Sequence, residues 1–177
     1  MRALIIMVLM FWSACQQKGT QQNSVQNSQE LKENMMDANR IMHEHEEVDI
    51  ENYIKRAGWE MTTSPTGLRY HVYEEGDGKV GEEGMVAIFN FETKLINGKV
   101  CYNSEENGTK QFLIGKAIVE RGLDEAMQFL KVGDRAKLIL PSHLAFGLVG
   151  DDNCVPRKAI LIYDVQIIDF VKPTKIN

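Results

Sequence analysis

No block of lysine and arginine occurs in this sequence, and its 20 basic residues are outnumbered by 25 acidic ones for a net charge of -5. A nucleic-acid footprint needs clustered positive charge, so nucleic acid is excluded as a partner. Attraction to an anionic lipid surface is an equally poor match for this charge, so any membrane attachment must come from another source. The apolar run Ala3–Trp12 falls far short of the roughly 20 residues that a membrane-crossing helix needs. No nucleophile–base triad and no metal constellation is spelled out, so neither a metal nor a cofactor is expected. His43 and Glu47 could share a helix face, but ordinary metal sites take three or four ligands. Together with His45 they read as a solvated helix face.

What is present begins with a targeting pattern. Arg2 precedes the apolar run, and the small residues Ser13 and Ala14 precede Cys15. A positive start, a short apolar stretch and small residues before a cleavage point make a secretory signal over residues 1–14. Small residues directly before a cysteine resemble the lipobox of bacterial lipoproteins, which implies lipidation of Cys15 and a membrane attachment through that lipid. Residues 15–29 are polar and lack aromatics, and are expected to be a flexible tether. Residues 30–66 form a helical extension with a loose stripe of Leu31, Met35, Ile41 and Met42, continued by Ile50, Tyr53 and Ile54 until Gly58. One or two helices are expected there, packed on the following domain or on a second copy as a homodimer.

The chain is organised around Gly122–Gly147. Leu123, Ala126, Met127 and Leu130 fall at i, i+3, i+4 and i+7, one apolar stripe at helical period. Asp124 and Glu125 suit the positive end of the helix dipole, and Gly133 follows where the chain leaves the helix. The period then changes to two, with Ala136, Leu138 and Leu140 alternating with Arg135 and Lys137 until Pro141 ends the ladder. A helix of about three turns is not stable alone, so a sheet must cover its stripe. Further strands are expected at Leu68–Val72, Val86–Leu95, Val100–Asn103, Gln111–Ile114 and Ala159–Phe170, with a hairpin at Asn97-Gly98. The fold class is α+β, an antiparallel sheet curled over one short central helix with an N-terminal helical extension.

The same stretch, GLDEAMQFLKVGDRAKLILPSHLAFG, with NGKVCYNS, QFLIGKAIVERGL and AILIYDVQIIDF, resembles the FKBP-type peptidyl-prolyl isomerases over residues 67–172. That resemblance implies isomerisation of X-Pro bonds in exported polypeptides, at the cell envelope and facing the periplasm. Proline-containing polypeptides would be the clients. A chaperone-like binding module of the same fold, with little or no isomerase activity, is the alternative. Matched position by position, Phe91 and Phe146 stand at family tyrosines, keeping the ring and losing the hydroxyl. Val119, Val155 and Tyr163 stand at pocket aliphatic and ring positions. Glu120 replaces an aliphatic, Leu123 the floor tryptophan, Cys101 a phenylalanine wall and Tyr102 the aspartate most often linked to activity. Tyr102 and Phe146 would thus be the residues nearest the chemistry, with Phe91, Cys101, Val119, Glu120, Leu123, Val155 and Tyr163 binding substrate. The resemblance also puts Cys101 on a pocket wall and Cys154 on the overhanging loop, where they form either a disulfide or two separate thiols.

Overall fold

The computed structural model describes residues 19–116 and 119–173, with the side chains of the first helix described from Gln29 onward. The signal run and Cys15 lie outside the described residues. Helix α1 spans Gly19–Ala57 as one continuous element of 39 residues, so the stretch read as a tether is helical from Gly19. A helix satisfies its own backbone hydrogen bonds and needs no buried surface to do so, which is why polarity alone does not exclude one. Gly58, at φ +68°, ends it. Among the described residues no helix is long and apolar enough to cross a membrane.

Two compact units divide the chain, the first running through His43 and the second starting at Glu44. In the first, α1 exposes Leu31, Met35, Met36 and Ile41. The second unit takes in the last turns of α1 and the short strand β1 (Thr62–Thr63), which the sequence reading had placed in the extension.

The remaining elements are β2 (Arg69–Glu74), β3 (Val86–Leu95), β4 (Val100–Asn103), α2 (Ser104–Asn107), β5 (Lys110–Leu113), α3 (Arg121–Ala126), β6 (Arg135–Leu140), a 3-10 turn at Ser142–Leu144, and β7 (Leu161–Val171). They build one sheet in the order β1-β2-β6-β7-β3-β4, with β5 also paired to β3 and every pairing antiparallel. Asn97-Gly98 turns the β3–β4 hairpin, with Gly98 at φ +88°.

Leu123, Ala126, Met127 and Leu130 are all fully buried against the sheet. Regular helix stops at Ala126, earlier than the stripe predicts, and tighter turns carry the chain on to Leu130. The carbonyl of Leu130 is taken by Gly81 N–H at 3.2 Å, so this end is tied to the connection between β2 and β3 instead of fraying. A Cβ on Gly81 would lie 2.0 Å from the Met127 carbonyl, so only glycine fits this approach.

The opposite face of the sheet is covered as well. Ile50 of α1 packs on Ile139, Ile160 and Ile162, with Tyr53, Ile54 and Trp59 around them. Buried Glu46 accepts from Ser142 N–H at 3.0 Å and from the Ser142 hydroxyl at 2.5 Å. Arg69, buried in β2, pairs with Glu47 and Glu51 on the same helix. The end of α1 is therefore part of the fold. Ile50→Ala should cost about 2–5 kcal/mol in urea unfolding, as for other large-to-small core changes. A cost within the roughly 0.5 kcal/mol of a surface change would mean that α1 contributes no core.

Candidate functional site

A cleft of about 560 Å³ opens where β3, β4, β5, β7 and the loop after the 3-10 turn converge. Phe91 enters from the middle of β3, Tyr163 from β7 and Phe146 from the loop. Ring centroids of Phe91 and Tyr163 lie 6.4 Å apart, tilted at 40°, and Phe89 stacks edge-on behind Phe91 at 6.2 Å. Phe91 and Phe146 are half-buried, whereas Tyr163 is 1% exposed. The walls are thus aromatic and carry no hydroxyl at Phe91 and Phe146.

Of the residues singled out in the sequence, Phe91, Tyr102, Glu120, Phe146 and Tyr163 line this cleft. Leu123 and Val155 do not: both are buried in the hydrophobic core, Leu123 completely. Leu123 lies on the stripe by which α3 meets the sheet. Val119 and Cys101 are half-buried against the same core. Cys101 is joined to Cys154 in a disulfide with a Cα–Cα distance of 5.5 Å, within the range such bonds require. The bond closes a sequence separation of 53 residues and ties the loop carrying Asp151 and Asn153 to β4.

Two polar groups shape the cleft. The first is centred on Glu120, at the start of α3 and 7% exposed. Its carboxylate accepts from the Tyr163 hydroxyl at 2.6 Å and from Lys110 Nζ at 3.0 and 3.3 Å. A buried carboxylate is tolerable only when paired in this way. Burial, followed by the charge of Glu120, pushes the Tyr163 phenol well above its ordinary range, so it stays a donor. Lys110 Nζ also lies 5.7 Å from the centroid of Phe91 and 5.8 Å from that of Tyr163, within cation–π range.

The second group is centred on Asp151. Tyr102 donates its hydroxyl to Asp151 and accepts from Asn153 Nδ2 at 3.1 Å. Asp151 Oδ1 accepts from the backbone N–H groups of Val155 at 2.7 Å and Asn153 at 3.0 Å. Burial alone would raise the Asp151 carboxyl, but the Tyr102 hydroxyl and the loop N–H groups outweigh it and hold it below the ordinary carboxylate range. The same hydrogen bond, with burial second, raises the Tyr102 phenol.

Lys110, Asp151 and Asn153 were missed in the sequence, as were Asn107, Gly108 and Thr109 at the rim. Glu120 carried the one usable signal: a carboxylate facing a cleft requires a cation, and Lys110 opens the strand just before it. Nothing local in the sequence points to Asp151.

An aromatic cleft over a short helix, inside a strongly curled antiparallel sheet, now has its counterpart among known proteins. A profile of the FKBP-type peptidyl-prolyl cis-trans isomerases matches residues 78–168. This chain belongs to that family. FK506-binding protein 1 of Debaryomyces hansenii is 33% identical over 109 residues, which are 60% of this chain and 97% of that protein. The FKBP-type peptidyl-prolyl cis-trans isomerase FkpA of Escherichia coli is 32% identical over 123 residues, 70% of this chain but only 44% of the relative. The chain thus spans under half the length of that relative. The crystal structure of FkpA from Escherichia coli superposes with a TM-score of 0.64 at 26% identity, covering 90% of this chain and 75% of that one. The crystal structure of AtFKBP13 gives 0.59 at 27% identity, covering 63% and 98%.

Within this FKBP-type domain the disulfide should count for much of the loop's order. Cys101→Ser with Cys154→Ser should lower stability by about 2–4 kcal/mol in denaturant unfolding, the range typical of disulfides. Titration of the denatured, unreduced protein should find neither Cys101 nor Cys154 reactive. Two reactive thiols at these positions would refute the bond.

Proposed function

We propose that this chain is a peptidyl-prolyl cis-trans isomerase of low turnover that acts on exported polypeptides. The observation that carries the reading is the cleft walled by Phe91, Phe146 and Tyr163 inside an FKBP-type domain. Rotation about an imide bond costs about 18–20 kcal/mol because the C–N bond has partial double-bond character. No proton has to move and no covalent bond has to form. An apolar, water-excluding wall favours the twisted, less polarised state over the planar one, which is differential binding of the transition state. The three rings supply such a wall. The buried Glu120 and its partner Lys110 work against it by making the cleft more polar, which supports low turnover.

The full chain should accelerate cis–trans exchange of a blocked X-Pro peptide, followed by NMR exchange spectroscopy. Phe146→Ala removes a wall and should lower kcat/KM roughly tenfold, a loss of about 1.4 kcal/mol of transition-state stabilisation. No acceleration by the wild-type chain at high concentration would instead favour the second reading, a binding module that holds proline-containing or apolar segments. The polar pair in the cleft supports that alternative.

The residues Ser13-Ala14-Cys15 support attachment of the mature protein to the cell envelope by lipid on Cys15, facing the periplasm. Several acyl chains on one residue anchor firmly where a single chain does not. The wild-type protein should partition with membranes into detergent, and Cys15→Ser should abolish lipid labelling. Recovery of unlipidated mature protein from the soluble periplasmic fraction would overturn the anchor.

A further inference from the structure

We propose that Lys110 is the donor by which this cleft holds a client, its ammonium binding the carbonyl oxygen next to the proline. The assignment rests on the cleft being where an X-Pro segment binds, whether or not it is turned over there.

Hydroxyls on the ring walls are the first candidates for such a donor, and each of these is absent or engaged. Phe91 and Phe146 have none. The Tyr163 hydroxyl is donated to Glu120 at 2.6 Å. The Tyr102 hydroxyl is donated to Asp151. Lys110 differs in having donors left over. An ammonium has three N–H bonds, and at most two point at the Glu120 carboxylate, at 3.0 and 3.3 Å. Its side chain is 26% exposed, whereas that of Glu120 is 4% exposed, so the anchoring carboxylate lies beneath and the ammonium faces the opening. Nζ stands 5.7 Å from the ring of half-buried Phe91, a surface on which a proline ring would rest, and 5.8 Å from the ring of buried Tyr163.

The consequence for turnover follows from where the charge acts. A cation at the amide oxygen favours the resonance form in which the C–N bond is double, and that form is lost on twisting. Lys110 therefore stabilises the planar states more than the transition state, adding affinity without adding rate. The pair Lys110–Glu120 makes the cleft a better holder and a slower isomerase.

The test uses the full chain and the blocked peptide Ala-Leu-Pro-Phe, with Kd from NMR titration and kcat from exchange at saturation. Lys110→Met should raise Kd roughly tenfold or more, the loss expected for a charge-assisted hydrogen bond, with kcat unchanged or raised. Removing the lysine strands a buried carboxylate, so Lys110→Met with Glu120→Gln is the second variant. Its glutamine still accepts from Tyr163 and leaves no unpaired charge, and it should show the same split between Kd and kcat. Lys99→Met, which removes an exposed ammonium on the β3–β4 turn outside the cleft, should leave Kd unchanged. An unchanged Kd in both Lys110 variants, or a fall in kcat at constant Kd, would overturn the assignment. Wild-type chain that binds through Lys110 but speeds no exchange would sink the isomerase reading and leave the assignment standing. Wild-type chain that speeds exchange with an affinity indifferent to Lys110 would do the reverse.

Discussion

The structure depends first on the burial of one short helix. α3 is too short to hold itself together, and its stripe of Leu123, Ala126, Met127 and Leu130 is stable only under a sheet that bends around it. The bend is built into the longest pairing. β3 and β7 run antiparallel from Val86 opposite Val171 to Leu95 opposite Leu161, with an irregularity between Ile88 and Phe89. Such an irregularity adds local twist and re-aims the residues that follow it. Phe91 lies two positions beyond this irregularity, at the wall of the cleft. The same curvature that covers α3 therefore opens the site at its edge.

Much of this frame was legible in the sequence because it is written in periods. The stripe of α3, the alternation in β6 and the Asn97-Gly98 turn each report a local geometry, and each has its counterpart in the fold. Periodicity tells which face of an element is apolar, but not what covers the other one. Ile139 sits between Leu138 and Leu140 and is buried on the far side of the sheet, under Ile50 of a helix separated from it by many residues. The stripe of Ile50, Tyr53 and Ile54 predicts a helix packed on the domain or on a second copy, but nothing in it names Ser142 as the partner of Glu46 or Arg69 as the partner of Glu47.

The cleft was legible in its rings and illegible in its charges. Phe91, Phe146 and Tyr163 could be placed because they align with aromatic positions of a known family. The polar groups have no such template. Tyr102 reaches Asp151 across the disulfide-tied loop, and Lys110 reaches Glu120 from a different element. Each pair joins segments whose approach is fixed by the whole fold and not by either segment's sequence. Leu123 and Val155 were singled out by the same alignment, and both side chains lie in the core beside the cleft and not on its wall.

One rim of the cleft is held much more firmly than its size requires. The loop from Gly147 to Lys158 is rich in Gly, Asp and Asn, a composition that by itself predicts mobility. Here Asp151 gathers two backbone N–H groups and a phenol, the disulfide fixes Cys154 to β4, and Lys158 N–H reaches the Gly147 carbonyl at 2.8 Å to close the loop at its base. Just past Phe146, Leu148 and Val149 stand exposed on this fixed support. A loop already ordered in the free protein costs little conformational entropy when a chain binds against it. The cross-links therefore compensate for what the cleft lacks in hydroxyls: fewer fixed hydrogen bonds to a client, but walls that need not be assembled around it.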